Sequence, residues 1–551
     1  MSTNIFNTER LLFTPAIPES NAIPIIFAFP NEYTVGITSL GYQIVWATLA
    51  MRSDLQVSRL FTDINEPLPS QVELFGFSVS WELDYVNIFN ILESLEIPIR
   101  AKNRSAKNYP IVFGGGPVLT ANPEPFADFF DVILLGDGEN LLGDFIEAYK
   151  EVRGAEKQVQ LKHLAQVPGI YIPSLYEVTY ESVDGAIKSI EPINKDIPSV
   201  VQKQTYRGNT LSASTVVTEK AAWENIFMVE VVRSCPEMCR FCLASYLTLP
   251  FRSASLEGSL IPAIEQGLTV TKRLGLLGAS VTQHPEFDSL LDYLNQPKYD
   301  DVRLSIASVR TNTVTEKLAK ILSNRDTKSI TIAVESGSDR LRKVINKKLE
   351  NEEIIEAAVN AKAGGLKAIK FYGMVGLPGE EVEDLDATIE MMFALKKAVP
   401  GLRLSLGCST FVPKSHTPFQ WFGVNYQSEK RLKFLEKQLR SKGIDFRPES
   451  YKWSVIQGLI SRGDRRLSNL LELVRNYGDS LGSYKRAFKE LRGELPELDF
   501  YVFNDWKLKQ ILPWNHIQGP LPITTLKKHL AEAIATQKSV GANGHLSVNG
   551  R

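Results

Sequence analysis

The sequence predicts an α/β protein of three units: a doubly wound domain over residues 1–150, a partial (β/α)6 barrel over 226–424 and a small mainly helical domain over 425–525. Three observations predict it. Apolar strand-like runs alternate with helical patterns before residue 150, and again after Ile226. The second series has six βα units and no doubly wound phosphate fingerprint, which favours a barrel over a second open sheet. Beyond "WFGVNY" (421–426) the patterns are mainly helical.

Residues 1–22 show no clear periodicity and read as an irregular lead-in. In the first unit "PIIFAFP" (24–30), "LFGFSVS" (74–80), "PIVFGGGP" (110–117) and "VILLGDGE" (132–139) read as buried strands, with "TSLGYQIVWATLA" (38–50) and "YVNIFNILESL" (85–95) as helices. Residues 151–225 read as a connector with a β-hairpin turning at Asp184-Gly185. In the barrel the candidate strands are "IFMVEVV" (226–232), "GLLGAS" (275–280), "VRLSIAS" (302–308), "SITIAVES" (329–336), "AIKFYGMVG" (368–376) and "LRLSLGCSTFV" (402–412). Asn351 is the expected N-cap of one intervening helix and Gly364-Gly365 its stop. Residues 526–551, ending in a polar, glycine-rich run, read as a disordered tail.

A chain of 551 residues is too long for one core. Its net charge of −1 gives no global attraction to nucleic acid or membrane. "MSTNIFNTERLLFTP" does not read as a secretory signal, and no apolar run approaches the ~20 residues of a membrane helix. A cytoplasmic protein without membrane insertion is expected. Four cysteines are too few for a disulfide framework. Three of them, Cys235, Cys239 and Cys242, lie in "VVRSCPEMCRFCLAS" directly after the first barrel strand. Thiolates ligate soft metals, and three leave one site open. A structural zinc would need a histidine as fourth ligand; the six histidines (163, 284, 416, 516, 529 and 545) all lie outside finger spacing of Cys242.

The spacing C-x₃-C-x₂-C after that strand, with Phe241 just before the third cysteine, resembles the radical S-adenosylmethionine (SAM) superfamily. The resemblance implies a [4Fe–4S] cluster on Cys235, Cys239 and Cys242, an open iron chelated by SAM, and reductive cleavage of SAM. It implies an external electron donor of the flavodoxin or ferredoxin type. The family's SAM contacts map onto Phe241, onto Gly278 and Ser280 in a degraded glycine-rich strand end, and onto Glu335 and Ser336. Gly376 and Gly379, in "GLPGE", would approach the adenine side. Arg310 is a candidate partner of the SAM carboxylate or a solvated loop arginine.

The first unit resembles cobalamin-binding domains. In place of their Asp-x-His-x-x-Gly loop it has "NEYTVG": Asn31 replaces the aspartate, Tyr33 the cobalt-ligating histidine, and Gly36 remains. Ser78 and Ser80, with Gly115 and Gly116, stand where such domains line the slot for the cofactor's nucleotide tail. "STFVPKSHTPFQWFG", "SRGDRR" and "PWNHI" extend the resemblance to a bacterial cobalamin-domain radical SAM family over about residues 24–520. The function it implies is methyl transfer through cobalamin to an unknown substrate. The alternatives are cobalamin-independent radical chemistry beside a vestigial domain, and a non-catalytic metal-binding scaffold. Classical methylthiolation would need a second cluster, and only Cys408 is left for it.

Cys408, Lys414 and His416 are candidate catalytic residues. For Cys408 the plainer reading is a small buried hydrophobe; for Lys414, His416 and Trp421 it is docking of the C-terminal domain. Arg462, Arg465 and Arg466, with Lys430, Arg431 and Lys433 upstream, read as a solvated basic face, with RNA as a minority partner.

Overall fold

In the computed structural model, which describes residues 5–105, 109–307 and 309–539, the first unit is a sheet in the order β2-β1-β3-β4-β5-β6. Its strands are β1 (Ile23–Ala28), β2 (Leu55–Leu60), β3 (Leu74–Ser78), β4 (Ile111–Gly115), β5 (Val132–Leu134) and β6 (Ile170–Tyr171). All pair in parallel except β6, which runs antiparallel to β5. Helices α1 (Leu40–Ala50), α2 (Tyr85–Ser94) and α3 (Gly138–Glu151) flank it. The central strands are buried on both faces, so their sequences are continuous apolar runs.

Strand β2, "LQVSRL", was not expected. It is an edge strand, and Gln56, Ser58 and Arg59 break its apolar run. Arg59 is buried, with Nη2 2.7 Å from both Glu9 Oε2 and Glu66 Oε1. That pair ties down the lead-in, and Arg10–Leu11 adds a short antiparallel pairing with Val216–Val217. The region expected to be irregular is thus part of the fold. So is the start of the connector, since β6 completes the first sheet beyond residue 150. The hairpin follows as β7 (Tyr176–Tyr180) and β8 (Ile187–Pro192).

The second unit has six parallel strands, as expected: β9 (Ile226–Arg233), β11 (Arg273–Gly278), β12 (Arg303–Ile306), β13 (Ser329–Glu335), β14 (Ala368–Val375) and β15 (Arg403–Thr410). A short antiparallel β10 (Arg252–Ser253) joins β9 at one edge. At the far end β16 (Asp445–Pro448) adds in parallel to β15, and the strands make two four-stranded sheets, β10-β9-β11-β12 and β13-β14-β15-β16, linked by the isolated parallel bridge Val309–Ile332. The barrel therefore continues past residue 424, and helix α10 (Ser428–Arg440) is its crossover. Its other helices are α4 (Ile261–Leu268), α5 (Phe287–Leu294), α6 (Glu316–Asn324), α7 (Asp339–Val344), α8 (Asn351–Ala363) and α9 (Val382–Ala398). The N-cap of α8 is Glu350, one residue before the expected Asn351, in a capping box with Glu353.

Helices α11 (Tyr451–Arg462), α12 (Leu467–Asn476) and α13 (Leu481–Glu490) form the C-terminal unit. Helix α14 (Ile523–Ser539) occupies most of the expected tail; residues 540–551 lie outside the described ones. Its apolar positions Leu526, Leu530 and Ala533 are buried at helical spacing, and it packs on α7. Lysines around that stripe hid it from a composition-based reading.

The basic group at 462–466 is not a solvated face. Arg462 is wholly buried and donates to the carbonyls of Tyr501, Val502 and Asn504. Arg465 pairs with the buried Glu124 (Nε–Oε2 3.1 Å), and Arg466 with Asp464 (2.6 Å). Arg465 thus clamps the C-terminal unit to the first one, Arg462 braces its own unit and Arg466 reaches the connector hairpin, so the minority RNA reading loses these three arginines. Among the described residues no helix is long and apolar enough to cross a membrane.

Candidate cluster site and nucleotide slot

Strand β9 ends at Arg233, and the chain turns at once into the cysteine loop. Ser234 (φ 70°) and Met238 (φ 53°) take left-handed conformations that coil it. Cys242 then caps the short helix Leu243–Leu247, and its amide donates to the Cys239 carbonyl (2.9 Å). Cys239 is buried; Cys235 and Cys242 are half-buried. Burial pushes the Cys239 thiol up to about 12 and raises that of Cys242.

The loop is stitched to the segment after α7. Asn346 Nδ2 donates to the carbonyls of Glu237 (3.0 Å) and Met238 (2.9 Å). The Arg240 amide donates to Ile345 O (2.9 Å), and its guanidinium to Val344 O (2.7 Å). This docking brings Lys347 beside the thiols. Its Nζ lies 3.1 Å from Glu335 Oε1 at the end of β13. Glu335 has φ 64°, a strained value for a side-chain-bearing residue. Burial opposes the Lys347 charge, but Glu335 and the neighbouring Cys239 and Cys242 outweigh it and hold the ammonium above the usual lysine range.

A second chain of contacts runs across the loop. Ser280 Oγ donates to Gln283 Oε1 (2.6 Å), Gln283 Nε2 donates to Glu237 Oε1 (2.6 Å), and Arg310 Nη1 pairs with that oxygen at 3.0 Å. Arg310 also donates to Asn312 Oδ1 and Lys348 O. Its guanidinium is thus committed to the loop, against the expectation of a free partner for a carboxylate and against that of a solvated arginine. Gly278 (φ 152°) passes so close to β9 that a Cβ there would lie 2.6 Å from Val232 O. Phe241 is half-buried against the first core.

Ser336 is buried and serves its own turn, accepting from the Ser338 amide (3.1 Å). In "GLPGE", Gly376 (φ 77°) and Gly379 (φ 81°) shape the turn. A Cβ at Gly376 would meet Ser428 Oγ at 2.2 Å, so protein packing already accounts for that glycine. Its amide donates to Glu380 Oε2 (2.6 Å), and Glu380 also pairs with Arg431. Burial, set against Arg431, leaves the Glu380 carboxyl raised to about 7.

The candidate catalytic residues lie elsewhere. Burial alternates along β15: Leu404, Leu406, Cys408 and Thr410 are buried, whereas Ser405, Gly407 and Ser409 are half-open. Cys408 belongs to the apolar core of the barrel, with Leu406 and Phe446. Lys414 pairs with the buried Glu82 and donates to Ser461 Oγ (2.8 Å), joining all three units. His416 is buried near Trp514, and desolvation lowers its pKa to about 4. Trp421 is 1% exposed and belongs to the shared core.

In the first unit a cavity of about 240 Å³ opens between the sheet and helices α1 and α3. Phe27, Phe77, Phe113 and Leu142 give it apolar walls; Ser78, Ser80, Gly115, Gly116 and Asp137 supply its polar part. Asn31, Tyr33 and Gly36 do not line it. Asn31 donates to Asp84 Oδ1 (3.1 Å). Tyr33 is fully buried and donates its hydroxyl to Glu9 Oε1 (2.7 Å). A Cβ at Gly36 would lie 2.6 Å from the Phe61 ring. Of the seven expected residues, the four assigned to the tail slot come together and the three of the loop do not. Arg233 reaches the same cavity, two residues before Cys235.

Two family models match this chain, "Radical SAM proteins, N-terminal" over residues 45–173 and "Radical SAM superfamily" over residues 229–392. The chain is a radical SAM enzyme. It is 28% identical to the uncharacterized protein MJ0966 of Methanocaldococcus jannaschii over 84% of its own length and 94% of that protein. It is 24% identical to the uncharacterized methyltransferase PH0819 of Pyrococcus horikoshii over 55% of its length and 64% of that protein. Among solved structures it is similar to the radical SAM methyltransferase TsrM of Kitasatospora setae. That likeness has a TM-score of 0.49 at 13% identity, over 72% of this chain and 75% of that one.

For this radical SAM enzyme the donor set suits an iron–sulfur cluster. Among the described residues no three His, Cys, Asp or Glu side chains gather around a single ion. A cubane does not ask for that, because each thiolate takes a different iron. Three thiols on one coiled loop, one of them buried, supply the donor type that a cluster takes.

Proposed function

We propose that this enzyme holds a [4Fe–4S] cluster on Cys235, Cys239 and Cys242, cleaves SAM reductively and transfers a methyl group through cobalamin to its substrate. When bound, the cluster supplies one electron for cleavage and cobalamin carries the methyl group. The electron comes from a flavodoxin- or ferredoxin-type donor. The chain's own residues do the holding. The three thiolates would ligate the cluster, Glu335 at its strained strand end would take the SAM amine, and Gly278 keeps β11 close to the strand that leads into the loop. Ser78, Ser80, Gly115 and Gly116 seat the nucleotide tail over the apolar floor of the cavity.

The observation that supports this best is the position of Arg233. It ends the strand that carries the cysteine loop and lines the cavity of the neighbouring unit. A group seated in that cavity would therefore face the cluster loop. The test is anaerobic reconstitution of the full chain expressed with ample cobalamin. We expect cluster absorbance, copurified cobalamin, and SAM cleavage with dithionite. Replacing Cys235, Cys239 and Cys242 together by alanine should abolish the first and last and spare cobalamin. Cluster absorbance that survives the triple replacement would sink the proposal.

One observation favours a second reading, cobalamin-independent radical chemistry beside a vestigial domain. Tyr33, at the position of the cobalt-ligating histidine, is turned into the core. That reading predicts SAM cleavage with no copurified cobalamin and no response to added methylcobalamin.

A further inference from the structure

We infer that Lys347 is a positioning residue that sets the reduction potential of the cluster through its charge. The inference rests on the three-cysteine cluster proposed above. Lys347 follows Asn346, whose side chain is bonded to two carbonyls of the cysteine loop, and its own amide donates to Arg342 O (2.8 Å). Backbone and side chain are therefore fixed beside the thiols.

The other charges around the loop are engaged or turned outward. Arg310 pairs with Glu237, and Arg240 contacts Glu532 at 3.5 Å. Lys348 is 63% exposed, whereas Lys347 is 17% exposed. Lys347 is the cation shared between Glu335 and the thiols Cys239 and Cys242. Reduction adds one electron and no proton to the thiolate-bound cluster, so its negative charge grows by one. A screened cation nearby stabilises that product more than the oxidised form, and the stabilisation grows as water is excluded. Glu335 tempers the effect.

The test is an EPR-monitored redox titration of the reconstituted full chain without SAM. Lys347→Met should lower the midpoint by at least tenfold in the equilibrium constant, about 59 mV for a one-electron couple. Lys347→Arg should stay near wild type, and Glu335→Gln should move the midpoint upward. An unchanged midpoint in Lys347→Met, at full iron and sulfide content, would overturn the inference. If Lys347→Met fails to hold iron, Glu335→Gln decides: an upward shift supports the role, and no shift or a downward one overturns it. A wild-type protein without a cluster signal overturns the proposed function along with this inference; a normal signal with unmoved midpoints overturns this inference alone.

Discussion

Arg233 Nη1 lies 2.6 Å from Glu139 Oε1, and this ion pair fastens the barrel strand that carries the cysteines to the helix that walls the cavity. Glu230 holds the same guanidinium at 2.7 Å, and Asp137 approaches to 3.5 Å. Three carboxylates on one arginine leave it little freedom, so the two candidate cofactor sites keep a fixed relation.

The cavity can be tested without disturbing the cluster. At Gly115 an added Cβ would meet nothing nearer than Leu134 O at 3.6 Å, so the backbone tolerates a side chain. Gly115→Leu should fill the slot. We expect copurified cobalamin to fall at least several-fold, with iron content and melting temperature close to wild type. Undiminished cobalamin would remove this cavity from the cofactor site.

Cys408→Ser should leave cluster content and SAM cleavage intact. The side chain sits among the buried residues of β15 in the helix-facing core. A hydroxyl there should cost about 1–3 kcal/mol of stability, measured by denaturant titration. Normal SAM cleavage with product lost would show the thiol to be chemical.

The half-buried Lys414 pairs with the buried Glu82 across the units. Lys414→Met leaves the carboxylate without its cation and should destabilise by about 3–5 kcal/mol. The double variant Lys414→Met with Glu82→Leu should recover most of that loss in thermal unfolding. If the double variant is no better than the single one, the pair is not the source of the effect.

Two buried histidines give a pH signature. Desolvation lowers His416 and His516 to about 4, so both stay neutral in the folded chain while the unfolded chain takes up protons from pH 6.5 downward. Their contribution is full above pH 6.5 and is lost as pH falls toward 4, by at most about 1.4 kcal/mol per pH unit for each. Burial raises Asp84 and Asp479 to about 6 and Glu380 to about 7, and these carboxyls act with the opposite sign. The difference between wild type and His416→Gln/His516→Gln cancels them. The stability deficit of that variant should shrink between pH 6.5 and 4.5; a constant deficit would refute the assignment.

The doubly wound sheet and the six barrel strands were legible because their strands are buried runs separated by helical periods. Strand β2 was not, because an arginine on an edge strand looks solvated until Glu9, from a distant segment, covers it. Cysteine spacing picked out the loop proposed to hold the cluster. Lys347, Gln283 and Glu237 were invisible, because their roles depend on contacts between segments far apart in sequence. Arg462, Arg465 and Arg466 misled for the same reason: three arginines in five residues read as surface unless their acceptors, mostly backbone carbonyls of other segments, are known.

Helix α14 closes over the cysteine loop from outside: His529 Nδ1 lies 2.9 Å from the Tyr246 hydroxyl, and Glu532 reaches Arg240. The cysteines leave the ribosome long before this helix does, and units fold as they emerge. In the nascent chain the loop therefore exists before its outer brace does, and α14 docks on it last.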